Sequence, residues 1–166
     1  MKNLYTIMPK FLGGFIALGF SSQIFAASPA TSTLTVTANV QPTCVISDAT
    51  LAFGEYLPVT THATADLDGS TAVSVTCTNG TAAKIYSSTP VLSRVITNTN
   101  DSETLNYKLY TDSNRQTELG ITDAAGTISV TGTGLAQSIN LYGKVIKNQQ
   151  ATVGNYTGTA NLMISY

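Results

Sequence analysis

The chain is poor in the residues from which nucleic-acid-binding surfaces are usually built. Only 10% of its side chains are charged, against about 25% in ordinary soluble domains. The eight basic and nine acidic residues are scattered singly and give a net charge of −1. A basic stripe that could follow a phosphate backbone is missing, so no nucleic-acid partner is expected.

Residues for catalysis and metal binding are equally scarce. The one histidine, His62, lies in a threonine-rich segment that is expected to form an exposed loop, where an isolated imidazole is incidental. There is no GxSxG elbow, no HExxH motif and no cluster of ligating side chains. Residues 66–69 resemble the start of a calcium loop but lack its later oxygen ligands, which favours a turn. We therefore expect neither an enzyme nor a metal or cofactor site.

Long apolar runs are missing after residue 27, and the one apolar stretch, residues 11–20, lies near the N-terminus. Lys2 and Lys10 precede it, and polar residues 21–23 follow it, before a plausible small-residue cleavage site at Ala26 and Ala27. A stretch of about ten residues is too short to cross a bilayer as a helix. The pattern indicates a cleavable Sec signal peptide at residues 1–26, rather than an uncleaved anchor, and predicts export to the periplasm.

Cysteine is limited to Cys44 and Cys77, both of which remain after removal of the signal peptide. An even number of cysteines in an exported chain predicts one disulfide. Two free thiols or a metal pair are disfavoured, because neither cysteine has a CxxC partner or a companion histidine. The crosslink would stabilise the fold by about 3–4 kcal/mol on the chain-entropy model.

Helical periodicity is also missing after residue 27, and alternation with a period of two dominates instead. Turn clusters rich in Gly, Asn and Asp separate the alternating runs. Many short strands without intervening helices predict an all-β antiparallel sandwich. The predicted strands are residues 31–40, 44–46, 51–56, 73–78, 84–88, 105–111, 127–131, 138–146 and 156–166.

The first and last of these segments raise a question of pairing. The last segment is expected to end inside a strand whose free edge needs a partner, and its inward face would carry Gly158, Ala160, Leu162, Ile164 and Tyr166. In the first segment one face is apolar and consists of Leu34, Val36, Ala38 and Val40. Residues 31–40 are either an extension outside a sandwich that begins near Cys44 or the first strand of that sandwich. The alternation alone leaves both interpretations open.

Several short motifs follow one another along the chain. They are TVTANV at 35–40 followed by Cys44, LAFGEY at 51–56, VSVTC at 73–77, LNYKLYTD at 105–112, LYGKV at 141–145 and GNY at 154–156. In this order the chain resembles the spore coat protein U domain family, which includes the Csu-type pilin subunits of archaic chaperone–usher pili. The resemblance implies an immunoglobulin-like sandwich that lacks its last strand and is completed by donor-strand complementation.

The resemblance further implies a structural subunit, shaft or adaptor, of an adhesive pilus involved in biofilm formation. A periplasmic chaperone would lend a strand first, and the N-terminal extension of the next subunit would replace it at an outer-membrane usher. Residues 27–41 would then be the donor extension and residues 42–166 the pilin domain. The side chains Leu34, Val36, Ala38 and Val40 would enter the groove of a neighbour. The acceptor groove and chaperone-facing strand would present Ala160, Leu162, Ile164 and Tyr166.

A different function class remains open at this point. The mature chain could be a monomeric, self-complete secreted β-sandwich that binds a glycan or belongs to a surface coat, with residues 31–40 folded into its own sheet. An exported hydrolase is disfavoured for want of catalytic residues. Stable behaviour as a monomer, or dependence on a partner strand, distinguishes the two remaining classes.

Overall fold

The computed structural model describes residues 28–166, so the predicted signal peptide lies outside the described residues. Residues 28–43 are exposed throughout and belong to no strand. From Asn39 to Tyr166 the chain forms one contact-rich unit. Within the described part of the chain, no helix is long and apolar enough to cross a membrane.

The strands of residues 39–166 form two antiparallel sheets. The larger sheet has the order β1-β2-β7-β5-β4-β8 and the smaller has the order β6-β3-β9. This arrangement confirms the predicted all-β antiparallel sandwich. The strands are β1 Cys44–Ile46, β2 Leu67–Cys77, β3 Ala82–Ser87, β4 Val95–Asn98, β5 Thr104–Tyr110, β6 Ile128–Thr131, β7 Ala136–Val145, β8 Tyr156–Thr157 and β9 Leu162–Ser165. Two short 3₁₀ turns, Thr61–Ala63 and Val91–Ser93, interrupt the connections.

The core consists of alternate side chains that point inward from the sheets. In β2 the inward positions become fully buried towards its C-terminal end, because the pleat of a strand places every second residue on one face. One cluster joins β2, β5 and β7 and contains Val73, Leu105, Tyr107, Leu109, Leu119, Leu141 and Val145. A second cluster joins β2 to the smaller sheet and contains Val75, Cys77, Ala83, Ile85 and Val130.

The predicted disulfide is confirmed. Cys44 of β1 and Cys77 of β2 are directly opposite each other in the ladder and are bonded through their sulfur atoms. The crosslink fixes the short β1 against the long β2, and Cys77 is buried. Beyond Ile46, the backbone of Ser47 still donates to Ser74, and then the chain leaves β2.

Two local predictions are wrong, and both concern segments near β2. Residues 66–69 are predicted to form a turn, but residues 67–69 are the start of β2. The carboxylate of Asp68 pairs with Arg115, and that of Asp66, just before the strand, pairs with Lys144. Residues 51–56 were expected to form a strand but are not paired with any described strand. Leu51 and Phe53 still point inward, and the alternation ends at Gly54, after which Tyr56 rather than Glu55 packs on the core. What this segment lacks is a neighbouring strand.

The C-terminal segment also differs from the prediction of one continuous strand over 156–166. β8 pairs with β4 in the larger sheet, whereas β9 pairs with β3 in the smaller sheet. Residues 158–161 carry the chain from one sheet to the other. A side chain at Gly158 would place its Cβ 2.5 Å from the carbonyl oxygen of Val95, so the crossing requires glycine here.

Candidate functional site

A long open groove runs between two segments of the chain, residues 46–58 on one side and residues 151–162 on the other. We call these the first wall and the second wall. The groove contains two cavities of about 490 and 1170 Å³, which share Thr50, Leu51 and Gly158 and are therefore continuous. The floor comes from β2, β4, β5 and β7 and consists of Leu67, Val73, Ile96, Leu105, Tyr107, Leu109, Leu141 and Val145.

Both walls present backbone groups without partners. Among the described residues, the amides and carbonyls of residues 48–56 and 158–160 make no hydrogen bond to protein. β9 pairs only with β3 and is the last strand of its sheet. Unpaired backbone beside an apolar floor is the arrangement to which an additional strand can bind, with its backbone on the walls and its side chains on the floor.

Side chains hold the first wall in place where backbone bonds do not. Leu51 and Phe53 point inward, and both pack on the paired glycines Gly69 and Gly143 of β2 and β7. The Phe53 ring also meets the Tyr107 ring, with 6.1 Å between the centroids. The wall therefore retains the inward face of a strand although it has no ladder.

The far end of the first wall is fixed by hydrogen bonds. The Tyr56 hydroxyl donates to the carbonyl oxygen of Ile146 and accepts from the amide of Gln149, both at 3.0 Å. The amide of Leu57 donates to His62 Nδ1 at 2.7 Å, and the imidazole stacks on the Tyr56 ring. The expectation of an exposed His62 is wrong, because only 6% of the residue is exposed.

The second wall contains part of the predicted C-terminal face. Ala160 and Leu162 line the groove and pack against the larger core cluster. Ile164 packs against the smaller cluster, further along β9. The expectation that Tyr166 faces the core is wrong: it lies one residue beyond the end of β9, outside the ladder that sets the pleat, and is 57% exposed.

The proposed donor side chains are exposed in this structure. Leu34, Val36 and Val40 are each more than three-quarters exposed, and Ala38 is exposed as well. Large aliphatic side chains are costly to leave in water, at about 1.5–3 kcal/mol each. An exposed row of them at every second position therefore favours burial against another surface.

The electrostatics of the groove disfavour an anionic occupant. Asp48 and Glu55 are the ionisable carboxylates in its lining, and neither has a charged partner in the described structure. The buried charge lies elsewhere, at Arg94, where burial lowers the pKa of the guanidinium and the Glu118 carboxylate partly restores it. In the described residues, no group of three or more His, Cys, Asp or Glu side chains is placed to hold a metal ion.

The family model described as Spore Coat Protein U domain matches residues 30–162, which include both walls and the floor of the groove. The chain belongs to the spore coat protein U domain family. It is 33% identical over 156 residues to Protein U of Myxococcus xanthus, and the match covers 84% of this chain and 87% of that protein.

The chain is also similar to a solved structure, the CsuC–CsuE chaperone–tip adhesion subunit pre-assembly complex from the archaic chaperone–usher Csu pili of Acinetobacter baumannii. The match has a TM-score of 0.53 and 14% identity, and it covers 76% of this chain. It spans only 40% of the solved chain. At this level of identity the likeness establishes the fold, an immunoglobulin-like β-sandwich.

Proposed function

We propose that this protein is a structural subunit, shaft or adaptor, of a chaperone–usher pilus and that it polymerises by donor-strand exchange. The observation that carries the proposal is the open groove, whose walls have unpaired backbone and whose floor is apolar. The same chain carries an exposed extension with apolar residues at alternate positions. Groove and extension have the complementary chemistry of an acceptor and a donor.

The extension matches the groove in chemistry and in length. Residues 31–40 reach about 33 Å when extended, and the eleven residues of the first wall from 46 to 56 reach a similar length at ~3.3 Å per residue. Leu34, Val36, Ala38 and Val40 would lie on the floor, where their burial would contribute on the order of 5–8 kcal/mol. The alternate threonines and asparagine would face water.

An open groove must be covered while the subunit is exported and assembled. An unpaired sheet edge with apolar residues invites aggregation, so a periplasmic chaperone would cover the groove after the disulfide has formed. At an outer-membrane usher, the extension of the next subunit would replace the chaperone strand. The endpoint would be a surface fibre that serves adhesion and biofilm formation. This role needs no catalytic residue.

Expression in a bacterial periplasm tests the proposal. The full chain and a variant lacking residues 27–40 are compared by native sizing and by SDS gels without boiling. We expect SDS-resistant ladders from the full chain, none from the truncated variant, and a higher yield of both with a pilus chaperone. A synthetic peptide of residues 31–40 should bind the truncated variant and raise its melting temperature.

A matched peptide serves as the control. Replacing the valine that corresponds to Val36 by aspartate keeps the length and most of the backbone chemistry but places a charge on the apolar floor. This peptide should not bind. A full chain that is a stable monomer without any partner would contradict the proposal and support the alternative, a self-complete secreted binding domain.

A further inference from the structure

The far end of the first wall contains a buried imidazole whose contacts depend on its charge. His62 Nδ1 accepts a hydrogen bond from the Leu57 amide at 2.7 Å, so this nitrogen carries no proton. The His62 amide donates back to the Leu57 carbonyl oxygen at 3.0 Å. The ring stacks on Tyr56, with 5.0 Å between the centroids and an interplanar angle of 13°. We call this arrangement, formed by Tyr56, Leu57 and His62, the latch.

The latch fixes a wall that has few other hydrogen bonds. Tyr56 and Leu57 both line the groove, and residues 48–56 have unpaired backbone within the described structure. The carbonyl oxygen of His62 in turn accepts from the Asn148 amide at 2.8 Å, which ties the latch to the segment that follows β7. The latch therefore acts with the two hydrogen bonds of the Tyr56 hydroxyl to hold this end of the wall.

We propose that His62 is a pH-sensitive latch on the groove, closed when the imidazole is neutral and released when it is protonated. A protonated imidazole has a donor at both nitrogens. Nδ1–H would then face the Leu57 N–H, so the bond is replaced by two opposed donors and a buried charge. Loss of the Leu57 hydrogen bond would loosen this end of the first wall and speed the exchange of a bound strand, while the Tyr56 hydroxyl keeps its bonds to Ile146 and Gln149.

His62 forms no salt bridge in the described residues. The segments that contact it contain Tyr56, Leu57 and Asn148. The charged or titratable groups on and beside these segments are Glu55, Tyr56 and Lys147, together with Asp66 and Lys144, which join them through the Asp66 carboxylate. The Tyr56 ring contacts the imidazole directly. The Asp66 carboxylate is already occupied, by the Lys144 ammonium at 3.1 Å and by the Lys147 amide at 2.9 Å.

The composition of the chain makes the inference testable without ambiguity. His62 is the one histidine in the sequence. A change of the first wall between pH 7.5 and pH 5.5 that is absent from a variant without this imidazole can therefore be assigned to His62. The latch itself does not depend on the pilus, but its importance for assembly rests on the proposed function.

The test is backbone hydrogen exchange on the full exported chain, in whichever assembly it is purified, at pH 7.5 and pH 5.5 with correction for intrinsic rates. We expect the protection of the Leu57 amide to fall roughly fivefold at pH 5.5, the usual effect of one hydrogen bond. His62→Asn offers an acceptor near the position of Nδ1 that does not titrate, so its protection should be equal at both pH values. His62→Phe keeps the stacking but has no acceptor, so protection should be low at both.

A second measurement separates the latch from the pilus. The exchange rate of a bound peptide of residues 31–40 should rise at pH 5.5 in the wild type but not in His62→Asn. If the protection of the Leu57 amide falls at pH 5.5 but the peptide never binds, the latch stands and the proposed function fails. Equal protection of Leu57 at the two pH values in the wild type would overturn the latch. So would a pH effect in His62→Asn as large as that in the wild type.

Discussion

Phe53 packs against Gly69 at a distance that leaves no room for a side chain. A Cβ on Gly69 would stand 2.8 Å from Phe53 Cδ1, and one on the opposite glycine, Gly143, would stand 2.8 Å from Leu51 Cδ2. Gly69 and Gly143 are paired across β2 and β7. The middle of the first wall, residues 48–56, which has no backbone hydrogen bonds in the described structure, thus rests on a pair of glycines.

Gly69→Ala should therefore destabilise the fold by about 1–3 kcal/mol, the usual cost of overpacking a well-filled core. Urea unfolding of the folded assembly measures the change. Ser70→Ala, the next position on the outward face of β2, is the matched control and should change stability by less than about 0.5 kcal/mol. Adding Phe53→Leu should recover part of the loss in Gly69→Ala. Strict additivity of the two substitutions would contradict the packing argument.

Gly69 also shows why the predicted turn at residues 66–69 is wrong. Asp66, Asp68 and Gly69 have the composition of a turn, but the structure uses the glycine for close packing and the two carboxylates for ion pairs. Local composition cannot distinguish these uses, because the packing partner Phe53 lies 16 positions away and the ion-pair partners Lys144 and Arg115 lie 78 and 47 positions away. β4 was missed for a similar reason: its short run, Val95–Asn98, has no alternation long enough to recognise.

The candidate site was predictable in its side chains but not in its backbone. Alternation correctly placed Ala160 and Leu162 on an inward face, since a period of two reports which face is buried. Alternation could not show that the first wall lacks a neighbouring strand. It reports which face of a segment is buried, and not whether another strand lies beside that segment. Nor could it find the buried His62, whose only signal is the tertiary contact with Tyr56.

Loss of the Cys44–Cys77 disulfide should lower stability by about 3–4 kcal/mol on the chain-entropy model, given a sequence separation of 33 residues. The double variant Cys44→Ser with Cys77→Ser should lose this amount in urea unfolding. Dithiothreitol should produce the same loss in the wild type and no further loss in the double variant. A reductant effect of equal size in both proteins would show that the bond is not the source of the stability.

Glu118→Gln should cost about 2–3 kcal/mol, because it leaves the Arg94 guanidinium buried without its counter-charge. The Arg94 side chain is 0% exposed, with Nη1 at 3.3 Å from Glu118 Oε1. Lys108 also pairs with Glu118, at 3.1 Å, but its side chain is 42% exposed. Lys108→Gln is therefore the matched control, with an expected cost below about 1 kcal/mol. Equal effects in thermal or urea unfolding would contradict the assigned burial.

Asp66 should make stability depend on pH in the acid range. Burial raises the pKa of its carboxyl, but the hydrogen bond from the Lys147 amide and the Lys144 ammonium outweigh this and lower it. With a lowered pKa in the folded state, its contribution is present above the unfolded value of about 3.9 and is lost as the pH falls through the folded value.

Asp66→Asn should therefore be less stable than the wild type at pH 7, with the gap closing as the pH falls below the unfolded value. Urea unfolding across that range measures it. Asp68→Asn, whose carboxylate pairs with Arg115 but is 56% exposed, should show a smaller gap. A gap for Asp66→Asn that stays constant with pH would mean that the carboxylate charge is not what stabilises the fold.

Val36→Asp and Thr37→Asp place the same charge on opposite faces of the proposed donor segment. Val36 is 82% exposed in this structure, so the folded domain itself should tolerate either change. In a polymer, Val36 would lie on the apolar floor of a neighbour, where an unpaired carboxylate is strongly unfavourable, whereas Thr37 would face water. We expect Val36→Asp to abolish SDS-resistant ladders and Thr37→Asp to retain them, at equal yields of folded subunit. Equal ladder formation by the two variants would refute this register, and loss of ladders with Thr37→Asp alone would assign the opposite face to the groove.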